Sequence, residues 1–274
     1  MNNVLNDLSD KALTQGIEAN FFEFISLLRR WQKAEVSDNP ELLWTITDIP
    51  FFLFNSQMRT NLTPEAVEPA IQAAIRRGQS RKVPICWYVG PATQPADLGA
   101  HLEEHGFITD EPQIGMAIDL GNLNEKLPVT PDLSIELVED KEALHRWCQT
   151  AIKGFGMPVF VGETFYDVFL CLGLNSSSPV RHYLGYLNGK PVATSTLFPG
   201  AGVAGIYDVC TSPEARRLGI GAAMTIRPLQ DARQMGYRAG ILQASEMGFP
   251  VYRKIGFQEY CKIDMYIKDN QVKV

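Results

Sequence analysis

Residues 214–224 read EARRLGIGAAM: two arginines, a glycine pair around one isoleucine, then small residues suited to a helix. Upstream, VAGIYDVCT (203–211) is rich in β-forming residues and SPEA (212–215) is a turn signal, so the stretch reads as strand, turn, glycine loop, helix start. Such a loop presents consecutive backbone N–H groups to an anion. Glycine lets the main chain approach closely, and the helix N-terminus adds about half a positive charge. Arg216 and Arg217 add charge-assisted donors, so a pyrophosphate suits the site. Other phosphate loops fit less well: no Lys-Ser or Lys-Thr follows the glycines, and Met224 stands where a dinucleotide fingerprint needs a third glycine, which disfavours a nucleotide-dependent oxidoreductase.

Around this loop the chain has an ordinary globular composition, 45% hydrophobic and 20% charged over 274 residues, enough for one or two domains. Acidic residues outnumber basic ones, 31 to 25, and no basic run follows a phosphate backbone, which argues against nucleic acid as a partner. Cys86, Cys148, Cys171, Cys210 and Cys261 are scattered and contain no CxxC pair, which points to a reducing, cytoplasmic setting without disulfides or a zinc knuckle. The N-terminus lacks a signal-peptide pattern, and the longest apolar run, LLWTITDIPFFLF, is broken by Asp48 and Pro50, so no export and no membrane span are expected.

The stretch LGNLNEKLPVTPD (120–132) lacks helical or strand period and reads as a linker. Beyond it, LSIELVED alternates like a strand, KEALHRWCQTAIKGF is helical, and RHYLGYLNG, KPVATSTLF and VAGIYDVCT are β-rich. A helix from about Gly221 to Met235 follows, which Pro228 is expected to kink, then the strand GILQAS, a short helix FPVYRKI and the strand CKIDMYI. The N-terminal half ends alike: a helix from Thr63 to about Gly78, the strand VPICWYV, helix and turn ADLGAHLEEHGF, and the strand IGMAIDL. Setting LEEHGF (102–107) against YRKIGF (252–257) aligns the two ends as a diverged internal duplication.

With Arg216-x-x-Gly219-x-Gly221-Ala222 after Pro213 and a β-run, and YRKIGF downstream, residues 131–270 resemble the GNAT N-acetyltransferase superfamily. The resemblance implies an α/β (mixed α+β) chain of two GNAT-like units, each a mixed, mostly antiparallel sheet flanked by helices: a degenerate unit at 1–125 and a catalytic unit at 131–274. It implies acetyl-CoA as acyl donor and no metal. The pantetheine arm maps to the main chain of Val209, Cys210 and Thr211 and to Ser245, and the pyrophosphate to Arg216, Arg217, Leu218, Gly219, Ile220, Gly221 and Ala222. Tyr252 is implied as the acid for the departing thiolate, with a backbone N–H near Val209 as oxyanion donor. The alternative for Tyr252 is sheet packing.

The family's strand glutamate falls on Gly205, which has no side chain. Asp208 is the preferred substitute base, with Glu246 or a water relay as alternatives, and local backbone bonding as the structural reading of Asp208. Cys210 has no evident His and carboxylate partners and reads as a small strand residue, so transfer is direct. His101 and His105 sit four apart, but Leu102 stands where the zinc-protease pattern needs a glutamate, so they read as a solvated helix face. The first copy lacks the glycine loop and has Leu102 at the tyrosine position. It is expected not to bind coenzyme A but to pack against the second and shape the acceptor pocket, with Trp44, Phe51, Phe52, Phe54, Trp87 and Tyr88 lining that pocket or forming core. The acceptor is a small-molecule amine or a protein amino group. A non-catalytic acyl-CoA sensor is the rival reading, and oligomeric state is not legible.

Overall fold

The computed structural model describes residues 4–270 and has a mixed α/β fold. In chain order the first elements are α1 (Asp10–Ser26), β1 (Glu35–Asp38), β2 (Leu43–Ile46), β3 (Ser56–Met58), α2 (Pro64–Arg81), β4 (Ile85–Val89), α3 (Leu98–Glu104), β5 (Ile108–Thr109) and β6 (Gln113–Asp119). They are followed by β7 (Leu133–Leu137), α4 (Lys141–Phe155), α5 (Val159–Leu172), β8 (Arg181–Leu187), β9 (Lys190–Gly200), β10 (Val203–Thr211), α6 (Ile220–Gln234), β11 (Ala239–Ala244), α7 (Phe249–Ile255) and β12 (Gln258–Lys268). Among the described residues no helix is long and apolar enough to cross a membrane.

Two compact units emerge, and they are not the expected halves 1–125 and 131–274. One comprises the chain up to Phe24 with Gly115–Tyr260; the other comprises Ile25–Ile114 and the chain from Cys261 on. The first helix therefore belongs with the later sequence, and the last strand is largely returned to the earlier one. The reason is packing: Asn20 and Phe24 on α1 find their partners on β9 and β10, whereas Tyr266 and Ile267 on β12 pair with Trp87 and Cys86 on β4.

In the larger unit the strand order is β6-β11-β10-β9-β8-β7. β7 to β10 form an antiparallel meander, and β10 joins β11 in parallel after the crossover α6, which continues past Pro228. The meander was legible because KPVATSTLF and VAGIYDVCT are β-branched runs split by tight turns at Asn188-Gly189 and Ala201-Gly202, all four residues having positive φ. α4 begins at Asp140, whose carboxylate accepts from the Ala143 amide at 2.7 Å, and ends at Gly156 in the left-handed region.

The expected linker is docked along this unit. Asn124 bonds the carbonyls of Ile255 and Lys254, Glu125 pairs with Arg233 at 2.7 Å, and the Thr130 amide donates to Leu218 O at 3.2 Å.

The smaller unit orders β1-β2-β3-β4-β12 around Ile71, Ile85, Trp87, Leu98, Leu102 and Phe107. Trp87, Tyr88 and Phe54 are core residues, while Phe51 and Phe52 are half-buried and stack on each other at 5.0 Å. The aligned ends share one turn geometry: Phe107 and Phe257 amides donate to Leu102 and Tyr252 carbonyls at 3.0 and 3.1 Å, around Gly106 and Gly256 at positive φ.

Candidate active site

The site follows from how β10 and β11 part. They pair at Ala204↔Gly240 and Gly205↔Ile241 and no further, although β10 runs on to Thr211 and β11 to Ala244. Beyond those two pairs the facing main-chain edges of β10 and β11 are not paired with each other. On its other side β10 stays paired with β9, but the register slips between Tyr207↔Thr196 and Cys210↔Thr194. Asp208 and Val209 are thus set against Ser195 alone, a β-bulge, with Asp208 at φ +52°. An aspartate tolerates that left-handed conformation better than most residues, and Thr194 fixes it by donating its hydroxyl to the Asp208 carbonyl at 2.7 Å.

The Asp208 carboxyl lies in a low-dielectric setting. Its Oδ2 is shut off from solvent and has no hydrogen-bond partner. Burial raises its pKa to about 6, with the Thr196 hydroxyl pulling the other way. Of the two readings of Asp208, local backbone bonding finds no support on this atom.

Gly205 has a reason to be glycine. A Cβ there would overlap Asn20 Oδ1 and approach the Tyr207 ring. Asn20, fully buried on α1, donates to the carbonyls of Gly200 at 2.8 Å and Phe198 at 3.3 Å and accepts from the Tyr207 hydroxyl at 2.7 Å, while Phe24 stacks on Tyr207 at 4.0 Å. An N-terminal helix fills the volume in which a strand glutamate would have to lie. Nothing local in the sequence joins Asn20 to Tyr207, so sequence reading missed it.

At the far end of β10, Arg217 (φ +66°) and Gly219 (φ +78°) turn the loop into α6. The amides of Arg217, Leu218, Gly219, Ile220, Gly221 and Ala222 have no intramolecular acceptor among the described residues. A Cβ on Gly221 would meet only Thr211 Oγ1, at 3.8 Å, whereas one on Gly219 would strike the Pro128 carbonyl. The loop is therefore open on one side and backed by the docked linker on the other. The Arg216 guanidinium donates to Thr211 O at 3.2 Å and Gly154 O at 3.0 Å, bracing α4 against β10. Arg217 remains exposed.

Tyr252 on α7 is buried edge-on to Phe257 at 6.0 Å, and burial raises its pKa, with nearby Cys210 adding to the effect. Ser245 Oγ accepts from the Gly248 amide at 3.2 Å in the turn before α7, leaving its own proton free to donate. Cys210 packs against Gly154, and burial lifts its thiol to about 11, so it is a poor nucleophile. Glu246 is exposed. Gln243 on β11 was missed by sequence reading; its Nε2 is buried without a partner. His105 Nδ1 faces the His101 carbonyl at 2.7 Å and its Nε2 lies 2.9 Å from Glu68; among the described residues no cluster of three or more potential ligands is arranged for a metal ion.

In the smaller unit the segments after β3 and β4 stay tied to each other. Trp87 Nε1 donates to Thr60 Oγ1 at 2.9 Å, and Leu62 and Gln94 amides bond across from Gln94 and Thr60 carbonyls at 3.0 and 2.9 Å.

Residues 188–260, the segment holding the bulge, the glycine loop and Tyr252, match the model of an acetyltransferase (GNAT) domain. The match covers that segment of the chain alone. No curated protein matches it significantly. In fold it is similar to a GCN5-related N-acetyltransferase from Kribbella flavida (TM-score 0.69, 16% identity, 92% of this chain and 95% of that one) and to one from Sphaerobacter thermophilus (0.62, 16%, 96% and 93%). It also resembles, along nearly its whole length, a tandem GNAT protein from the clavulanic acid biosynthesis pathway (0.60, 12%, 97% and 97%). The likeness to these structures shows the fold, and the family match concerns residues 188–260.

Proposed function

We propose that the larger unit transfers an acetyl group from acetyl-CoA to a primary amine, carried by a small molecule or a protein. The observation that carries the reading is the parting of β10 from β11 after Gly205, followed by the six acceptor-less amides at 217–222, with Asp208 on β10 and Tyr252 on α7. The residues fit the cofactor. The amides of 217–222 with Arg217 would hold the diphosphate, and the unpaired edge at Val209–Thr211 with Ser245 would hold the pantetheine arm. Acetyl-CoA supplies the activated acyl thioester.

Asp208 takes a proton from the amine nitrogen as that nitrogen acquires positive charge on bonding to carbon. A carboxylate with a pKa near 6 is ionised at neutral pH and matched to the task. The Val209 amide, in the bulge, is the donor for the carbonyl oxygen. Tyr252 keeps its proton through neutral pH and donates it to the departing sulfur, and the proton gained by Asp208 returns through solvent.

The closed face at Gly205 favours the rival, a non-catalytic acyl-CoA sensor, because the usual glutamate position is physically filled. Release of free thiol across a panel of amines separates the two. The enzyme reading expects turnover with at least one amine, reduced about 10²–10⁴-fold by Tyr252→Phe and by Asp208→Asn. Acetyl-CoA binding without thiol release from any amine supports the sensor.

A further inference from the structure

The segment 124–130, between β6 and β7, is pinned at both ends. At its start the Asn124 amide and side chain donate to the carbonyls of Ile255 and Lys254 at 3.0 and 3.1 Å, at the close of α7. Glu125 accepts from Arg233 at 2.7 Å and Gln230 at 2.6 Å, both on α6, and Arg233 also donates to the Leu120 carbonyl at 3.3 Å. At its end the joint is main chain to main chain. The Thr130 amide donates to Leu218 O at 3.2 Å, and the Pro128 carbonyl stands so close behind Gly219 that a Cβ there would overlap it.

That joint sets a direction. The Leu218–Gly219 peptide is trans, since the cis bond among the described residues is Gln94–Pro95. In a trans peptide the carbonyl and the following N–H point to opposite sides of the chain. With Leu218 O turned back onto Thr130, the Gly219 N–H is turned away from the segment behind it, toward the open side of the loop, and it is one of the amides without an intramolecular acceptor. Glycine by itself would not choose that orientation, because φ of either sign is open to it. The Thr130 bond and the Pro128 carbonyl select one. We propose that the segment 124–130 is a positioning element for the cofactor: anchored by Glu125 on α6, it fixes the Leu218 carbonyl through the Thr130 amide and thereby aims the Gly219 N–H at the diphosphate. The inference rests on the loop at 217–222 holding that diphosphate. It places the residues that set the loop's donor direction some ninety positions upstream of the glycines, outside the strand, turn and helix that make the loop.

Amide hydrogen exchange and equilibrium binding of acetyl-CoA, both on the full chain, test this. Acetyl-CoA is expected to slow exchange at Thr130, whose amide stands behind the loop rather than on its open side. Thr130→Pro removes that N–H at a position that Pro131 already biases toward an extended backbone. It is expected to raise the Kd for acetyl-CoA about three- to tenfold, the worth of one hydrogen bond, and the KM with it, while kcat stays in place. Glu125→Ala is expected to shift Kd the same way by about two- to fivefold, and Glu125→Gln, which keeps an oxygen for Arg233 and Gln230, to restore most of it. A segment that is only structural would lower the melting point in these variants and leave Kd unchanged. Exchange at Thr130 that acetyl-CoA does not alter, or a wild-type Kd in folded Thr130→Pro, overturns the proposal; if the proline variant does not fold, the exchange and Glu125→Ala decide. Failure of the unmodified chain to bind acetyl-CoA at all would instead remove the reading of the loop as the cofactor site, a separate failure.

Discussion

Asp208 carries a cost that its chemistry explains. Its folded pKa of about 6 lies above the ordinary value of 3.8, so the folded protein binds an extra proton as pH falls between 8 and 4. The stability this represents is fully present below the unfolded pKa and lost as pH rises through about 6. At pH 8 the ionised, partly orphaned carboxylate therefore weakens the fold by about 2–3 kcal/mol. Asp208→Asn is expected to raise the denaturation midpoint at pH 8 and change it little at pH 4. Equal shifts at both values would show that the residue titrates normally. At this scale the sequence was partly legible: Asp208 stood out by its place before the loop, but its φ, its buried oxygen and the grip of Thr194 on its carbonyl depend on pairing with a neighbouring strand.

At the scale of elements, the loop before α6 depends on a glycine squeezed between functions. Gly219 sits at φ +78° with the Pro128 carbonyl against its back. Gly219→Ala is expected to destabilise the unit by about 1–3 kcal/mol and to raise KM for acetyl-CoA, because the linker or the amides must shift. An unchanged melting curve and KM would show that the loop has slack. α4, α6 and β8 to β11 were legible because each carries a clear period, a cap or turn glycines. α1, α5 and β1 to β3 were not. The face of α1 includes Gly16 and Asn20, α5 (VFVGETFYDVFLCL) is apolar on nearly every side, and the three strands are four residues or shorter.

Across the whole molecule, LEEHGF and YRKIGF share one turn geometry, but the exchange of ends was not legible, since no local pattern tells a helix which sheet it will cover. A fragment of residues 131–274 would lack Asn20 and Phe24, exposing the Gly205 face and leaving the carbonyls of Phe198 and Gly200 without their buried donor. It is expected to melt without a cooperative transition. Cooperative unfolding of that fragment, followed by circular dichroism, would show that α1 is dispensable.

The central claim is that the loop at 217–222 and the parted strands grip coenzyme A. Calorimetric titration of the full chain with acetyl-CoA tests it most directly. The account expects saturable one-site binding that weakens in Gly219→Ala; no heat and no saturation at millimolar acetyl-CoA would contradict it.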